Sequence, residues 1–459
     1  ALSQLNRGLE QRTNKRPIMS DLRECVTGET LVMLADGRRV PIAELVGQTP
    51  EVLSVDEAGC IRISETDLIW SVGRKDVYEV NLASGHKIRC TGQHRLKGLW
   101  DWQRVNELQP GDRIAIARQV SEPAKLSAWD EQELILLAHL LGDGSYVKGQ
   151  PLRYTTASEE NSLAVTQAAE HLGSRVTRHA GRGQWHQLVI AGNGNRWHPA
   201  GVGKWLKALG VFGQRSAEKY IPSGIFQLPN EQLALFLRHL WSTDGSITRD
   251  KNGRLRIYFS TVSEVLIRDV AALLLRFGIL LRIRHVLSGK GQGWYTGDVS
   301  GADHQQRYMS QIGAFGHQRA LVDELLAKGL PQPNTNLDTL PQEVFEYVQE
   351  QMQRQGISQR KMAAMRGTAY GGQAYFSFSP SRATLRSYAE LLQDEKLLQM
   401  ISNDLFWDRI VSIQSIGKEE VYDLTVPGDA SWLADGVVSH NSGAIEQDAD
   451  VIAFVYRDE

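Results

Sequence analysis

Val438-Ser439-His440-Asn441-Ser442, near the end of this 459-residue chain, is a place where a backbone can cut itself. The Asn441 side-chain nitrogen can attack the carbonyl carbon of its own residue, close a five-membered ring and release the downstream segment. Intramolecular attack of this kind reaches effective molarities of roughly 10⁵–10⁸ M. The His440 imidazole can supply the proton that the leaving nitrogen needs. Alone, His440-Asn441-Ser442 reads first as an ordinary polar turn. It gains meaning only together with Cys25, far upstream.

Two further acids end matching segments. ELILLAHLLGDG, from Glu133 to Gly144, is an apolar helix closing on Gly-Asp-Gly, and LFLRHLWSTDG, from Leu235 to Gly245, comes 101 residues later. Each resembles a LAGLIDADG homing-endonuclease motif. That resemblance implies two helices packed along a pseudo-twofold axis, with Asp143 and Asp244 side by side as catalytic metal ligands. Adjacent carboxylates repel unless cations neutralise them, so such a pair binds divalent metal that can activate water. Hard oxygen ligands suit Mg²⁺. Either copy alone reads as a core helix with a capping glycine. The pair, followed by the basic strands RLRIYFST and LLRIRHVL, favours the endonuclease, with Arg254, Arg256, Arg282 and Arg284 toward DNA. No catalytic lysine stands out; Lys290 is a guess.

The elements that must position these groups can be read from composition and pattern. Hydrophobic content of 42% and charged content of 23% are globular values. The length suggests about three domains. A net charge of −2 hides an uneven distribution: residues 151–300 hold 19 Lys/Arg against 10 Asp/Glu, and residues 351–403 hold seven against three. Phosphate-rich partners fit that surplus, with a solvated basic face as the bland alternative. Cys25, Cys60 and Cys90 make no CxxC pair, which argues against disulfides and structural zinc. The absence of a signal-peptide pattern and of an apolar run near 18 residues points to a cytoplasmic protein without a membrane partner. A start on Ala1 reads as a fragment.

Residues 25–120 alternate between turn signals in TLVMLADGRRVPIAEL, EVLSVDEAGCIRIS, DVYEVNLASGHKIRCT and GDRIAIAR, with hairpin turns at Asp36-Gly37 and Ser84-Gly85. This predicts a β-rich domain. Helical spacing takes over near residue 122. Pro331, Pro333 and Pro341 mark a linker, after which Phe345–Gln355 and ISQRKMAAMRG read as a helix, a turn and a second helix. The pair resembles a helix-turn-helix, with Ser358, Gln359, Arg360 and Lys361 heading the recognition helix and Arg366 near its end. Tyr370, Tyr375, Arg382 and Arg386 are further candidates for phosphate or base contacts; a pair that only packs is the alternative. From Trp407 strand patterns return in DRIVSIQSIG, EVYDLTV and SWLADGVVSHN, and VYDLTV repeats the VYEVNL of residues 77–82. These strands complete the β domain begun at Cys25.

The chain ends, joined, read SQLNRGLEQRTNKRPIMSDLRE-SGAIEQDADVIAFVYRDE and resemble the RecA-like motor domain of the DnaB-type replicative helicase. What lies between, with Cys first and His-Asn last, resembles an intein. CVTGETLV resembles the first intein block, and Cys90-Thr91-Gly92-Gln93-His94 resembles the TxxH element. Asp423, in Tyr422-Asp423-Leu424, falls where inteins carry a catalytic acid. The resemblance implies that Cys25 forms a thioester with Glu24, that Thr91 and His94 polarise or protonate the scissile amide, and that Asp423 positions Cys25. Ser442 then takes the acyl group, and Asn441 cyclises with help from His440. One departure is Ala430, where many inteins have a His, which makes the Asn441 step the slowest. Another is His139 and Arg238, which put bulk or charge where LAGLIDADG helices often pack small or apolar residues.

The fold expected is mixed. An all-β Hint (intein) domain (25–121 and 404–441) is split by an α+β LAGLIDADG endonuclease domain (122–330) and a small helix-turn-helix subdomain (331–403). RecA-like helicase fragments (1–24 and 442–459) flank it. The resemblance implies self-excision by protein splicing without a cofactor, and Mg²⁺-dependent cleavage of double-stranded DNA at the intein-less helicase gene. The ligated host is expected to use ATP and to form a ring homo-hexamer, although no GxxxxGK[ST] loop lies in this chain. The other reading keeps splicing and makes the insert a DNA-binding or structural remnant.

Overall fold

Period-two apolar runs, helix caps and glycine turns account for most of the elements. The computed structural model describes residues 24–441 apart from 182, 196, 199, 252, 290, 292 and 330–336. The expected flanking helix and strand, Ser442, Lys290, Pro331 and Pro333 therefore lie outside the described residues. The chain divides into two compact units: described residues up to Leu34, Val40–Ile116 and those from Trp407 on, and, separately, Ala35–Arg39 with Ala117–Phe406.

The first unit is organised by an eleven-stranded sheet. Its longest strands, Leu68–Leu82 and Leu405–Thr425, pair antiparallel, with Val80 opposite Ile413 and Ile69 opposite Leu424. DRIVSIQSIG and EVYDLTV, read from sequence as separate strands, are therefore one. Gly417, at φ +95, absorbs a register shift between them, so the ladder continues through the charged stretch Lys418-Glu419-Glu420. The short strand Val26–Thr27 has Cys90 opposite Val26 on one side and Tyr422 on the other. Ser431–Ala434 and Val437–His440 form a hairpin with Ser431 opposite His440. Its two-residue turn, Asp435-Gly436, has both residues at positive φ, the geometry that matches strand twist. Ser439 also pairs with Leu96. One sheet thus gathers Thr91, His440 and the strand that Cys25 leads into, from segments 66 to several hundred positions apart in sequence.

The second unit contains a repeat. The helix Glu131–Asp143 leads into a four-stranded sheet, and Asn230–Asp244 leads into another with the same strand order. Each sheet carries one further helix, Glu159–His171 or Glu264–Leu274, capped by the side chain of Ser158 or Ser263. The two leading helices pack on each other, and Leu134, Leu137, Leu141, Leu233, Phe236 and Leu240 lie buried in one core that they share. Gly142 allows their close approach, because a Cβ there would run into the Thr243 hydroxyl. Among the described residues, four α-helices follow position 337: Val344–Arg354, Gln359–Met365, Arg382–Leu392 and Glu395–Ser402. Among the described residues no helix is long and apolar enough to cross a membrane.

Candidate functional site

Thr91, at the end of the strand Lys87–Thr91, grips the residue after the first junction twice. Its N–H donates to the Cys25 carbonyl at 2.9 Å, and its hydroxyl accepts the Cys25 N–H at 3.3 Å. That N–H belongs to the Glu24–Cys25 amide. Cys25 itself is buried against Val77 and Val421. Neighbouring Cys90 is buried too, and burial, then the charge of Cys25, push its thiol up, so it stays protonated and does not compete as a nucleophile.

His94 sits in a turn closed by its N–H on the Thr91 carbonyl at 3.1 Å. Burial brings its imidazole down to about 4; the charge and backbone of Glu24 oppose this, while His440 and Arg95 add to it. The ring is therefore neutral at pH 7 and reaches the Glu24 backbone. Catalytic hydrogen bonds are often long before reaction. Asp423 is buried and accepts the Leu424 N–H at 2.8 Å. Val26 faces Tyr422 and Thr27 faces Val421, so this antiparallel register runs the chain at Asp423 toward Cys25.

At the second junction, His440 Nδ1 lies 2.9 Å from a Glu24 carboxylate oxygen and 3.1 Å from an Arg95 nitrogen. Arg95 also pairs with Glu24 through its Nε. Trp102 packs edge-on against the imidazole, 4.8 Å between centroids. Asn441 is buried and donates its N–H to the Ala430 carbonyl at 3.1 Å. Ala430 stands at φ +50, and its loop is anchored by Asp429, which accepts from Ser54 at 2.7 Å, from Ser64 at 2.8 Å and from Arg62. Glu24, Cys25, Thr91, His94 and His440 thus meet at one place. Sequence reasoning missed Glu24 and Arg95 as members; the only signal was Arg95 directly after His94 on a short, largely covered strand.

The second unit carries a separate acid cluster. Asp143 is raised to about 7 by burial, then by the charge of Asp244, with Lys219 opposing. Asp244 is raised to about 6 by burial, again with Lys219 opposing. Lys219 is buried and donates to the carbonyls of Leu140, Gly142 and Gly144 at 3.1, 2.7 and 2.9 Å. Burial lowers it to about 8, against the pull of both acids. No spacing rule points to Lys219, because only the fold brings it to the helix ends. Two raised carboxylates that Lys219 only partly offsets fit a hard divalent ion. No group of three or more His, Cys, Asp or Glu among the described residues could hold a metal. Backbone carbonyls, water or phosphate would complete the coordination, as Mg²⁺ usually requires.

The two sequence departures are resolved by pairing. His139 Nε2 lies 3.1 Å from His239 Nδ1, and its Nδ1 lies 2.9 Å from the Tyr154 hydroxyl. Arg238 donates to the Ile312 carbonyl at 2.6 Å.

Among the expected DNA contacts, Arg256, Arg282 and Arg284 alternate with buried Ile257, Leu281 and Ile283 and so share the outward face of their sheet, while Arg254 is exposed. Asp298 pairs with both Arg256 and Arg284. The matching sheet of the first repeat, overlooked in the sequence, presents Arg153 and Thr177 beside Val189. Lys361 is exposed at the head of its helix, and Gln359 donates to Gln373 at 3.1 Å. Arg360 lies 5.2 Å over the Tyr370 ring. Arg366 stacks 4.0 Å over Tyr388 and donates to Ser387, so it is engaged internally. Arg382 is not a phosphate contact: it pairs with Asp338 and donates to carbonyls at Met400, Ile401 and Leu405, closing the end of a helix.

The chain is similar to the replicative DNA helicase DnaB of Rhodothermus marinus, 40% identical over 484 residues, covering 100% of this chain and 50% of that protein. DnaB of Synechocystis sp. is 37% identical over 476 residues, covering 100% and 54%. The chain spans about half the length of the curated relatives it matches. The solved structure of I-DmoI in complex with DNA and Mn is 16% identical, covers 40% of this chain and 97% of its own, and gives a TM-score of 0.28. The family described as intein splicing domain matches residues 31–441, nearly the whole described length, and the chain belongs to that family.

Proposed function

We propose that this chain is a self-splicing precursor in which residues 25–441 excise themselves. Cys25 Sγ attacks the Glu24 carbonyl carbon; the amide C–N bond breaks, the Cys25 nitrogen gains a proton, and a thioester forms. Thr91 holds the breaking amide by accepting its N–H, and neutral His94 takes the Cys25 thiol proton and passes it to the departing nitrogen. Asp423 positions the Cys25 thiol. Ser442 Oγ then attacks the thioester and releases the Cys25 thiolate. Asn441 Nδ2 attacks its own carbonyl, the bond to Ser442 breaks, and His440 protonates the Ser442 nitrogen. That amine takes the acyl group from its own oxygen, leaving Glu24 bonded to Ser442. No energy source is needed, because peptide bonds are exchanged. The meeting of the Glu24–Cys25 amide, Thr91, His94 and His440 at one place carries this reading. A time course tests it: Cys25→Ala should give no branched or ligated species, and Asn441→Ala should halt at the precursor or branch. Normal release of the downstream segment from Asn441→Ala would contradict it.

We propose a second activity, cleavage of double-stranded DNA at the helicase-gene site lacking the insertion. The acids Asp143 and Asp244, with Lys219 between helix ends, support it. The two acids would hold Mg²⁺, which when bound activates water and neutralises charge on the phosphate. Lys219 keeps a proton next to both acids and can exchange it near pH 8. Arg256, Arg282 and Arg284 on the sheet, Arg254 just before it, and Gln359, Arg360 and Lys361 on the helix-turn-helix-like segment face the DNA. Arg366 contributes through the ring it stacks on. The flanks belong to a host that, once ligated within its full length, works as an ATP-driven helicase ring. Incubation of the joined DNA site with the chain in Mg²⁺ tests the endonuclease; binding without nicking or cutting would make the insert a passive remnant.

A further inference from the structure

We infer that Glu24, a residue of the flank rather than of the excised segment, is a positioning residue that clamps the two junctions together before any bond joins them. The inference rests on the splicing reading. Glu24 is only 5% exposed, and a buried carboxylate persists only when paired. Its oxygens divide their work. One faces His440 Nδ1 at 2.9 Å and the other meets Arg95 Nε. Without a proton on Nδ1, two sets of lone pairs would oppose each other at that distance. Nδ1 therefore carries the hydrogen and donates to Glu24, which leaves Nε2 as the nitrogen that serves Asn441. Arg95, held through its Nε on the other Glu24 oxygen, brings its second nitrogen within 3.1 Å of Nδ1 and gathers three side chains from three segments around the one carboxylate. Backbone pairing of Leu96 with Ser439 joins two of those segments independently.

The third segment is the one this cluster adds. Glu24 is bonded to Cys25, and His440 stands two positions before Ser442. The carboxylate thus ties the acyl donor to the segment that supplies the acceptor, the proximity that transesterification needs. When the acyl group moves to Ser442, Glu24 moves with it and stays tied to the strand that bears His440. The clamp can persist until Asn441 cyclises, and it leaves with the ligated product. The excised segment is accordingly matched to an acidic residue immediately upstream of its first cysteine.

Glu24→Gln keeps the shape and removes the charge. In the full chain carrying Cys25→Ala, where release at Asn441 proceeds alone, we expect this change to slow release by about 10- to 100-fold, the worth of a charge-assisted hydrogen bond. In the chain with Cys25 intact, cleavage without ligation should rise. Glu24→Asp should recover part of the rate. Nitrogen NMR of histidine-labelled chain held unspliced by Cys25→Ala and Asn441→Ala adds a readout that a purely structural role would not move: His440 should carry its proton on Nδ1, and Glu24→Gln should shift it toward Nε2. Release at the parent rate overturns the clamp. So does slowed release with unchanged His440 ring signals, which would mark Glu24 as only structural. A parent chain that never cleaves or ligates overturns the splicing reading and the clamp with it, whereas a parent that splices while Glu24→Gln matches it overturns the clamp alone.

Discussion

Replacing Asp143 by Asn should make the protein more stable and inactive as a nuclease. Burial and the charge of Asp244 raise the Asp143 carboxyl from 3.8 to about 7. A carboxyl whose folded value lies above its unfolded value holds its proton more tightly when folded. Its contribution is therefore most favourable below pH 4, falls as the pH rises to about 7, and stays unfavourable above that. Moving the titration over this range corresponds to about 4 kcal/mol at most. Solvent reaching the helix ends and the nearby Lys219 ammonium reduce it, leaving about 1–3 kcal/mol. Asn keeps the size and drops the charge. In a chain held unspliced by Cys25→Ala and Asn441→Ala, urea unfolding should place the Asp143→Asn midpoint above the parent at pH 8, with the gap closing toward pH 4. Cutting of the joined DNA site in Mg²⁺ should disappear in the same protein. A loss of stability at pH 8, or a gain that ignores pH, would refute the argument that the site is built from buried, mutually repelling acids.

Three further outcomes rest on named contacts. Gly142→Ala drives a methyl into the Thr243 hydroxyl and should cost about 1–3 kcal/mol in urea unfolding, part of which Thr243→Ala should restore. Lys219→Met removes the proton held beside both acids. We expect DNA cutting in single-turnover assays to fall by about 100-fold or more while gel-shift binding stays, and equal cutting would exclude Lys219 from the chemistry. Ala430 accepts the Asn441 N–H from a left-handed conformation. Ala430→Gly should therefore raise stability by up to about 1 kcal/mol, and Ala430→His, which adds an imidazole next to the last cut, should speed release at Asn441 by about tenfold or more.

The sequence carried the chemistry better than its surroundings. Both acid-bearing helices were legible because an apolar run closing on Asp-Gly appears twice; the expected ends fall within a residue of those observed, while the second helix begins at Asn230, five residues before the run read from Leu235. The strands were legible from alternation, except that Gly417 hid the continuity of Leu405–Thr425 by looking like a turn. What was not legible depends on distant pairing. Lys219 sits in a segment with no periodic or motif signal, and only the turn of the chain brings its ammonium under the Leu140, Gly142 and Gly144 carbonyls. Arg382 looked like a DNA contact by type and by its basic neighbourhood, but burial beside Asp338 makes it a brace. His139 looked like a misfit because its partner, His239, lies a hundred positions on. Glu24 was read as the last residue of the host, and nothing local marks a glutamate as a partner for His440.

The central claim is that Glu24 becomes bonded to Ser442 while residues 25–441 leave. Tandem mass spectrometry of the purified, incubated full chain measures this directly. The account predicts a peptide that reads through from Asp21-Leu22-Arg23-Glu24 into Ser442-Gly443-Ala444, together with a released segment beginning at Cys25 and ending in a cyclised Asn441. A chain that remains one intact species, or flanks that are cut free and never joined, would contradict it.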